Sequence, residues 1–213
     1  TLMNVSNGRL VNTIQHNDAT KSWVWQVTEP INNYSVSMNI GKYIHMQDDF
    51  NGEAGKLSLD YYVLPQNKQG AERQFAQVKP MLECFEYWFG KYPFYKDGFK
   101  LVEVPYLGME HQSNVAYGNK YMNGYLGRDL SGTGWGLKWD FIVVHESGHE
   151  WFGNNITSKD IADMWIHEGF TNYSETLFTQ WLSGKEAGSA YNKGARKNIR
   201  NDKPILGTYN VHN

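Results

Sequence analysis

His145 and His149 stand four residues apart in the run His145-Glu146-Ser147-Gly148-His149. On an α-helix this spacing stacks two side chains on one face, one turn apart. Two imidazoles can then meet a single ion. Glu146 is turned about 100° from His145, so it flanks such a site and does not ligate it. Zinc takes neutral imidazole nitrogen and carboxylate oxygen, and a catalytic zinc keeps one position open for water. A third protein ligand is needed. Glu168, separated from His149 by eighteen residues, can supply it from a following helix. The ordinary alternative is a helix that carries two histidines by accident. The flanks argue against it: Phe141-Ile142-Val143-Val144 leads in as a buried helix, and Trp151-Phe152-Gly153-Asn154 closes it. The expectation is one catalytic Zn2+ on His145, His149 and Glu168, with Glu146 as the base.

The elements that must position these groups follow from periodicity. The zinc helix is expected over residues 139–152, ended by Gly153, Asn154 and Asn155, which tolerate left-handed backbone. The second site helix is expected over 164–182, stopping before Gly184. Phe170, Tyr173, Leu177, Phe178 and Trp181 form its expected buried stripe. Glu175 lies two turns beyond Glu168 on the same face and can orient a ligand histidine; Asn172 is its rival for that role. His167 points about 100° away from Glu168 and reads as a packed or solvated histidine. His16, His45 and His212 carry no pattern.

Upstream, residues 23–27 read as a strand. Tyr34, Val36, Met38 and Ile40 alternate in the manner of a half-buried strand. Asp48-Asp49-Phe50-Asn51-Gly52 reads as a polar break and a domain boundary. Residues 56–63 form another alternating strand with Leu57, Leu59, Tyr61 and Val63 on one face. A helix over 71–89 carries the stripe Phe75, Val78, Met81, Leu82, Phe85, Trp88 and Phe89, with Pro80 as an obstacle that kinks or splits it. Residues 100–104 form a short strand. The glycines of 132–136 lack the Gly-Lys-Ser/Thr ending of a phosphate loop and read as a lead-in to the zinc helix. A short helix is expected over 191–199, and the chain ends as a loop at Asn213.

Composition sets the outer limits. The 213 residues carry a net charge of −2, with both signs interspersed, so no basic stripe marks a nucleic-acid partner. No apolar run reaches the roughly 18 residues of a membrane span. Cys84 is the single cysteine, which excludes an internal disulfide and a cysteine-based zinc site. It falls on an apolar helix stripe and reads as an inert core thiol. The chain opens without Met and reads as a mature form or an excised piece. No signal peptide is present, and an extracytoplasmic location, periplasmic or secreted, is favoured over a cytoplasmic one. Only three or four strands precede residue 48, too few for a sheet domain with a core of its own. They read as the end of a sheet whose earlier part is absent.

Taken together, these motifs resemble the gluzincin aminopeptidases, the aminopeptidase N and leukotriene hydrolase group. The flanks agree as well: His149-Glu150-Trp151-Phe152-Gly153-Asn154, Trp165-Ile166-His167-Glu168-Gly169-Phe170 and Phe89-Gly90-Lys91-Tyr92-Pro93-Phe94. A second signature of that family, Gly-x-Met-x-Asn with Glu before the Asn on an edge strand, corresponds here to Leu107-Gly108-Met109-Glu110-His111. Met109 and Glu110 match; Leu107 replaces the usual Gly and His111 the usual Asn. The resemblance implies an α+β fold. Residues 1–48 would be the last strands of an N-terminal β domain, and 49–213 the N-terminal portion of a thermolysin-like catalytic domain, truncated. It implies zinc on His145, His149 and Glu168, Glu146 as general base, and Gly108, Met109 and Glu110 as substrate-binding residues. Glu110 would hold the free α-amino group of a peptide. The implied activity is removal of N-terminal residues. The alternatives are a zinc endopeptidase or epoxide hydrolase, and a non-catalytic zinc-containing peptide-binding module. The family's oxyanion-stabilising tyrosine lies roughly sixty residues beyond the third ligand, past Asn213. Tyr191-Asn192-Lys193-Gly194-Ala195 looks like its setting but comes too early, and reads as a surface helix with a chance match.

Overall fold

The computed structural model describes residues 2–202, 204 and 205; the expected terminal loop at Asn213 lies outside them. The chain begins with two small antiparallel pairs: β1 (Met3–Ser6) with β4 (Met38–Gly41), and β2 (Arg9–Gln15) with β3 (Lys21–Gln26). The alternation from Tyr34 to Ile40 yields a strand only at its end. Asn32 caps a 3-10 turn over Asn33–Ser35, its side chain accepting from the Tyr34 amide. That local bond competes with a strand ladder. Val36, Met38 and Ile40 lie exposed.

A five-stranded mixed sheet follows, in the order β5-β6-β7-β9-β8. Its strands are β5 (Ile44–Gly52), β6 (Gly55–Val63), β7 (Phe99–Glu103), β8 (Gly108–Met109) and β9 (Val115–Tyr117). β6, β7 and β9 run parallel, while β5 and β8 run antiparallel to their neighbours. The polar stretch at 48–52 is therefore strand, not a break: Asp48 pairs Leu59 and Phe50 pairs Leu57. Alternate residues of an edge strand face solvent, so polarity there does not end it. A division between domains near residue 48 remains a proposal.

Leu57, Leu59, Tyr61 and Val63 of β6 are all buried, as their period-2 spacing requires. They face α1 (Lys68–Phe75) and α2 (Val78–Phe89), which cross over between β6 and β7. The two helices divide at Ala76 and Gln77, which places Pro80 in the first turn of α2. A proline there gives up an amide that has no helical partner in any case. Cys84 is fully buried, and burial pushes its thiol up to about 12. α3 (Phe141–Gly148), α4 (Trp165–Ser183) and α5 (Lys185–Ala195) complete the core. The glycines of 132–136 run into a 3-10 turn, Trp135–Lys138, ahead of α3.

The buried face of α4 differs from the expected stripe. Leu177 and Phe178 are buried, but Phe170, Tyr173 and Trp181 are exposed. Their places inside are taken by His167, Thr171, Ser174, Glu175, Thr176 and Thr179. This helix turns a polar face toward α3, and the reason lies in the site.

Candidate active site

Asp140 sets where α3 begins. Its carboxylate accepts from the Ile142 and Val143 amides at 3.0 and 3.2 Å, an N-cap that satisfies two otherwise orphan donors. The Tyr117 hydroxyl of β9 donates to its other oxygen at 2.6 Å. Asn119 Nδ2 donates at 2.9 Å to Oδ1, the oxygen that caps the helix. The start of the helix is thereby fixed to the sheet. Ile142, Val143 and Val144 then bury the helix against the core. α3 ends at Gly148, but His149 keeps helical backbone at φ −65° and ψ −17°. The four-residue relation of the two histidines therefore holds past the formal end. Gly153, at φ +137°, turns the chain away.

α4 lies against α3 and presents Glu168, Thr171 and Glu175, spaced three and four apart on one face. The three expected ligands converge. His145 Nε2 lies 3.2 Å from His149 Nε2 and 3.4 Å from Glu168 Oε2. His149 Nε2 lies 3.7 Å from Glu168 Oε1. The edge of a tetrahedron with zinc bonds near 2.1 Å is about 3.4 Å. The donor set fits zinc in type and in spacing.

The far nitrogens of both rings are held. His145 Nδ1 donates to Glu175 Oε1 at 2.8 Å, and His149 Nδ1 donates to the Phe152 carbonyl at 3.0 Å. Thr171 Oγ1 lies 3.1 Å from the same His149 nitrogen. With an ion bound, each Nδ1 would keep its proton on these acceptors and each Nε2 would offer its lone pair to the shared point. Asn172 has no such part: its side chain donates back to the Glu168 carbonyl. His167 is buried with its Nε2 accepting from the Ser158 amide at 2.9 Å, so it is a packed histidine and not a ligand.

Charge follows from this packing. Burial opposes a proton on His145, but its hydrogen bonds to Glu168 and Glu175 outweigh burial and lift its pKa to about 10. The same bond from His145 holds Glu168 below the usual carboxylate range. Burial, and then the charge of His145, push His149 down. Burial, reinforced by Glu110, Glu168 and Glu175, raises Glu146 to about 7 despite His145.

β8 forms the rim of the sheet beside α3. Gly108 pairs with Tyr117 and Met109 with Ala116, which leaves the other edge of β8 unpaired within the sheet. A side chain on Gly108 would stand 2.8 Å from Ile142 Cγ2 and 3.0 Å from Glu146 Oε1. Its glycine lets the strand approach α3. Glu110 follows directly and is buried; one atom each of Glu110, Glu146 and His149 lie within 4.8 Å of one another. His111 turns away, its Nδ1 bonding the Ser35 carbonyl at 3.2 Å.

Several contributors carry no motif of their own. Asn154 Nδ2 donates to the Glu110 carbonyl at 2.8 Å, and its Oδ1 accepts from Ser35 Oγ at 2.9 Å. Tyr34 reaches the same oxygen at 3.4 Å; burial, then Glu110, pushes its hydroxyl up to about 12. Glu150 accepts from the Ser113 amide at 2.9 Å and from the Tyr92 hydroxyl at 2.8 Å. Asn154, Glu150 and Tyr92 stand in the flanking runs that the sequence marks, without a role read for them there; Ser35 and Ser113 carried no signal. Tyr191 departs from expectation. It is buried, not on a surface helix, and its hydroxyl donates to Glu175 Oε2 at 2.6 Å. It supports the partner of His145.

The chain is similar to several known proteins. The peptidase family M1 domain matches residues 73–205. Puromycin-sensitive aminopeptidase of Caenorhabditis elegans is 26% identical over 181 residues, covering 82% of this chain and 18% of the relative. Glutamyl aminopeptidase of Rattus norvegicus is 29% identical over 161 residues, covering 74% of this chain and 16% of the relative. The chain thus spans less than a fifth of these two relatives. Among solved structures, an M1 zinc metallopeptidase from Deinococcus radiodurans superposes with a TM-score of 0.73 at 19% identity, over 97% of this chain and 44% of that one. Legionella pneumophila aminopeptidase A, in complex with aspartic acid, gives 0.70 at 20% identity, over 85% of this chain and 22% of that one. The matched region contains both histidines, Glu168 and the strand before Glu110, and on this extent of agreement the chain belongs to peptidase family M1.

Proposed function

We infer that this chain carries the zinc centre of an aminopeptidase, with His145, His149 and Glu168 as ligands and Glu146 as general base. One observation carries the reading furthest. Two buried carboxylates, Glu110 and Glu146, stand beside a donor set that fits zinc, and neither side chain has a hydrogen-bond or ion-pair partner among the described residues. Hydrolysis of a terminal peptide bond needs two carboxylates in these places, one to move a proton and one to hold an ammonium. When bound, zinc supplies a water whose pKa is lowered to about 7 and a Lewis acid for the scissile carbonyl.

Glu146 takes the water's proton and passes it to the departing amine. Glu110 pairs with the substrate's α-ammonium and so places the first peptide bond beside Glu146. The unpaired edge of β8 offers its backbone to an extended peptide, as an added strand would use it. Glu175, Thr171 and the Phe152 carbonyl keep both imidazoles turned to the ion. The substrate class is therefore peptides with a free N-terminus.

The test compares hydrolysis of a fluorogenic amino-acid amide with that of the same compound blocked at its amine. Glu146→Gln should abolish turnover while zinc content stays at one per chain. Glu110→Gln should lose the preference for the free amine. Equal cleavage of blocked and free substrates by the unaltered chain overturns the aminopeptidase reading in favour of an endopeptidase. A second reading, a zinc-containing peptide-binding module, is favoured by the placement of Tyr191. Its hydroxyl is engaged by Glu175, so it is no donor to an oxyanion in the cleft. Zinc binding without turnover, in this chain and in a longer one, supports that reading.

A further inference from the structure

We propose that the cavity walled by Lys100, Asp60 and Trp25 is a binding site for a free α-amino acid with an aromatic side chain. The cavity holds about 320 Å3, at the lower end of the range for small-molecule pockets. It lies between Gly8, Arg9, Leu10 and Trp25 on one side and β5, β6 and β7 on the other, and it shares no residue with the ligand cluster. Asp60 on β6 and Lys100 on β7 are paired neighbours in the sheet. They point away from the helices, since Leu59, Tyr61, Phe99 and Leu101 on either side of them pack into the core. Lys100 is 2% exposed, and a lysine is rarely buried to this degree without a counter-ion. Its ammonium donates to the Gly8 carbonyl and lies 5.5 Å from the Trp25 ring centre, with no ion-pair partner among the described residues. An ammonium has three donors, so two are left over. Asp60 is occupied on one oxygen only. Oδ1 accepts from His45 Nε2 at 2.7 Å and from Gln47 Nε2 at 3.3 Å, while Oδ2 takes no hydrogen bond among the described residues.

Spare donors and a spare acceptor on adjacent strands call for a ligand that carries both charges. Its carboxylate accepts from Lys100, and its α-ammonium donates to Asp60 Oδ2, each bond strengthened by charge. A simple anion would meet Asp60 and a simple cation would meet Lys100 and Arg9, and like charges side by side are costly. The rest of the wall is apolar and aromatic. Trp25 stands edge-on to Tyr62 at 6.2 Å, His45 stacks on Tyr62 at 4.4 Å, and Met3 and Leu10 lie beside them. Such faces take an aromatic ring. An amino acid is also what the proposed reaction releases. That link rests on the aminopeptidase reading; the site rests on the cavity and takes its ligand without turnover.

The experiment is calorimetric titration with L-phenylalanine of the unaltered chain and of Glu110→Gln, which removes the proposed ammonium contact at the active site. Both should bind it with a Kd of at most about 1 mM. Adding Lys100→Met or Asp60→Asn to Glu110→Gln should weaken binding by about 10-fold or more, the loss of one charge-assisted bond. Asp60 lies at the partly exposed rim, and a cooperative urea transition shows that its variant is folded. Phenethylamine, which lacks the carboxylate, and N-acetyl-L-phenylalanine, which lacks the ammonium, should each bind about 10-fold more weakly or worse. No binding by Glu110→Gln up to about 10 mM overturns the proposal, since it leaves the active site as the only place for the amino acid. Affinity unchanged by Asp60→Asn, or equal affinity for either analogue, overturns it too and leaves Lys100 as an anchor for the Gly8 carbonyl. Failure of the aminopeptidase reading is seen separately, in the comparison of free and blocked amides.

Discussion

The Glu175 carboxylate receives the Nδ1 proton of His145 at 2.8 Å, from a helix that also carries Glu168. One element thus supplies a ligand and the group that orients another ligand. Glu175 is itself held by the Tyr191 hydroxyl at 2.6 Å. Partners of this kind are worth about 10–100-fold in metal affinity. Glu175→Ala should weaken zinc binding within that range, measured by competition with a chromogenic chelator. Tyr191→Phe should cost less than Glu175→Ala, since one carboxylate oxygen keeps its bond to His145. Unchanged affinity in Glu175→Ala would detach this residue from the centre.

Gly108 gives a separate prediction. Its missing side chain leaves room for Glu146 and Ile142. Gly108→Val should displace the Glu146 side chain and lower kcat more than 10-fold while one zinc per chain remains bound. Loss of zinc together with kcat would mean that the whole helix moved.

Asn154 ties the Glu110 carbonyl to the turn after α3 and to Ser35. Asn154→Ala leaves those buried groups without partners, at about 1–3 kcal/mol in stability. The expected kinetic outcome is a raised KM for free-amine substrates with zinc affinity unchanged. A loss confined to kcat would count against a role in placing Glu110.

Lys100 supplies a pH prediction away from the metal. It is buried on β7, donates to the Gly8 carbonyl and lies 5.5 Å from the Trp25 ring centre. Burial lowers its pKa to about 8, opposed by Asp60, Glu150 and Asp97 and assisted by Arg9. An amine depressed in the folded state binds fewer protons there than in the unfolded chain. Its contribution to stability is therefore greatest above the unfolded value of about 10.4 and is lost as pH falls through about 8. Between those limits the slope approaches ~1.4 kcal/mol per pH unit. Lys100→Met should flatten the rise in urea midpoint from pH 8 to pH 10. An unaltered rise in the variant would assign it to other groups.

Much of the site is legible because helical spacing is a local rule. His145 and His149 share a face at any tertiary arrangement, and so do Glu168 and Glu175. The strand over β6 is legible for the same reason, since period 2 marks a sheet with one buried face. The departures lie where a neighbour, not the local pattern, decides. Phe170, Tyr173 and Trp181 fit a buried stripe by hydropathy. Yet α4 must give its inner face to Thr171 and Glu175, and the aromatics are left outside. Residues 48–52 look like a break because they are polar, but ladder bonds to β6 make them strand.

The sequence by itself determined a pair of histidines on one helix face with a glutamate between them, a second glutamate on a later helix that meets them, and the family. It did so through spacings of three and four residues, which backbone geometry converts into shared faces. Only the tertiary structure decided that Glu175 and not Asn172 holds His145, and that Tyr191 supports Glu175 from inside the core. It also decided that Asn154, past the end of α3, bonds the Glu110 carbonyl, and that the Glu110 and Glu146 side chains come together with no hydrogen-bond partner among the described residues. Glu110 and Glu146 are 36 positions apart in the chain, and no local rule relates them. Their meeting depends on β8 lying at the sheet edge, and on Asp140, which joins the start of α3 to β9 through Tyr117.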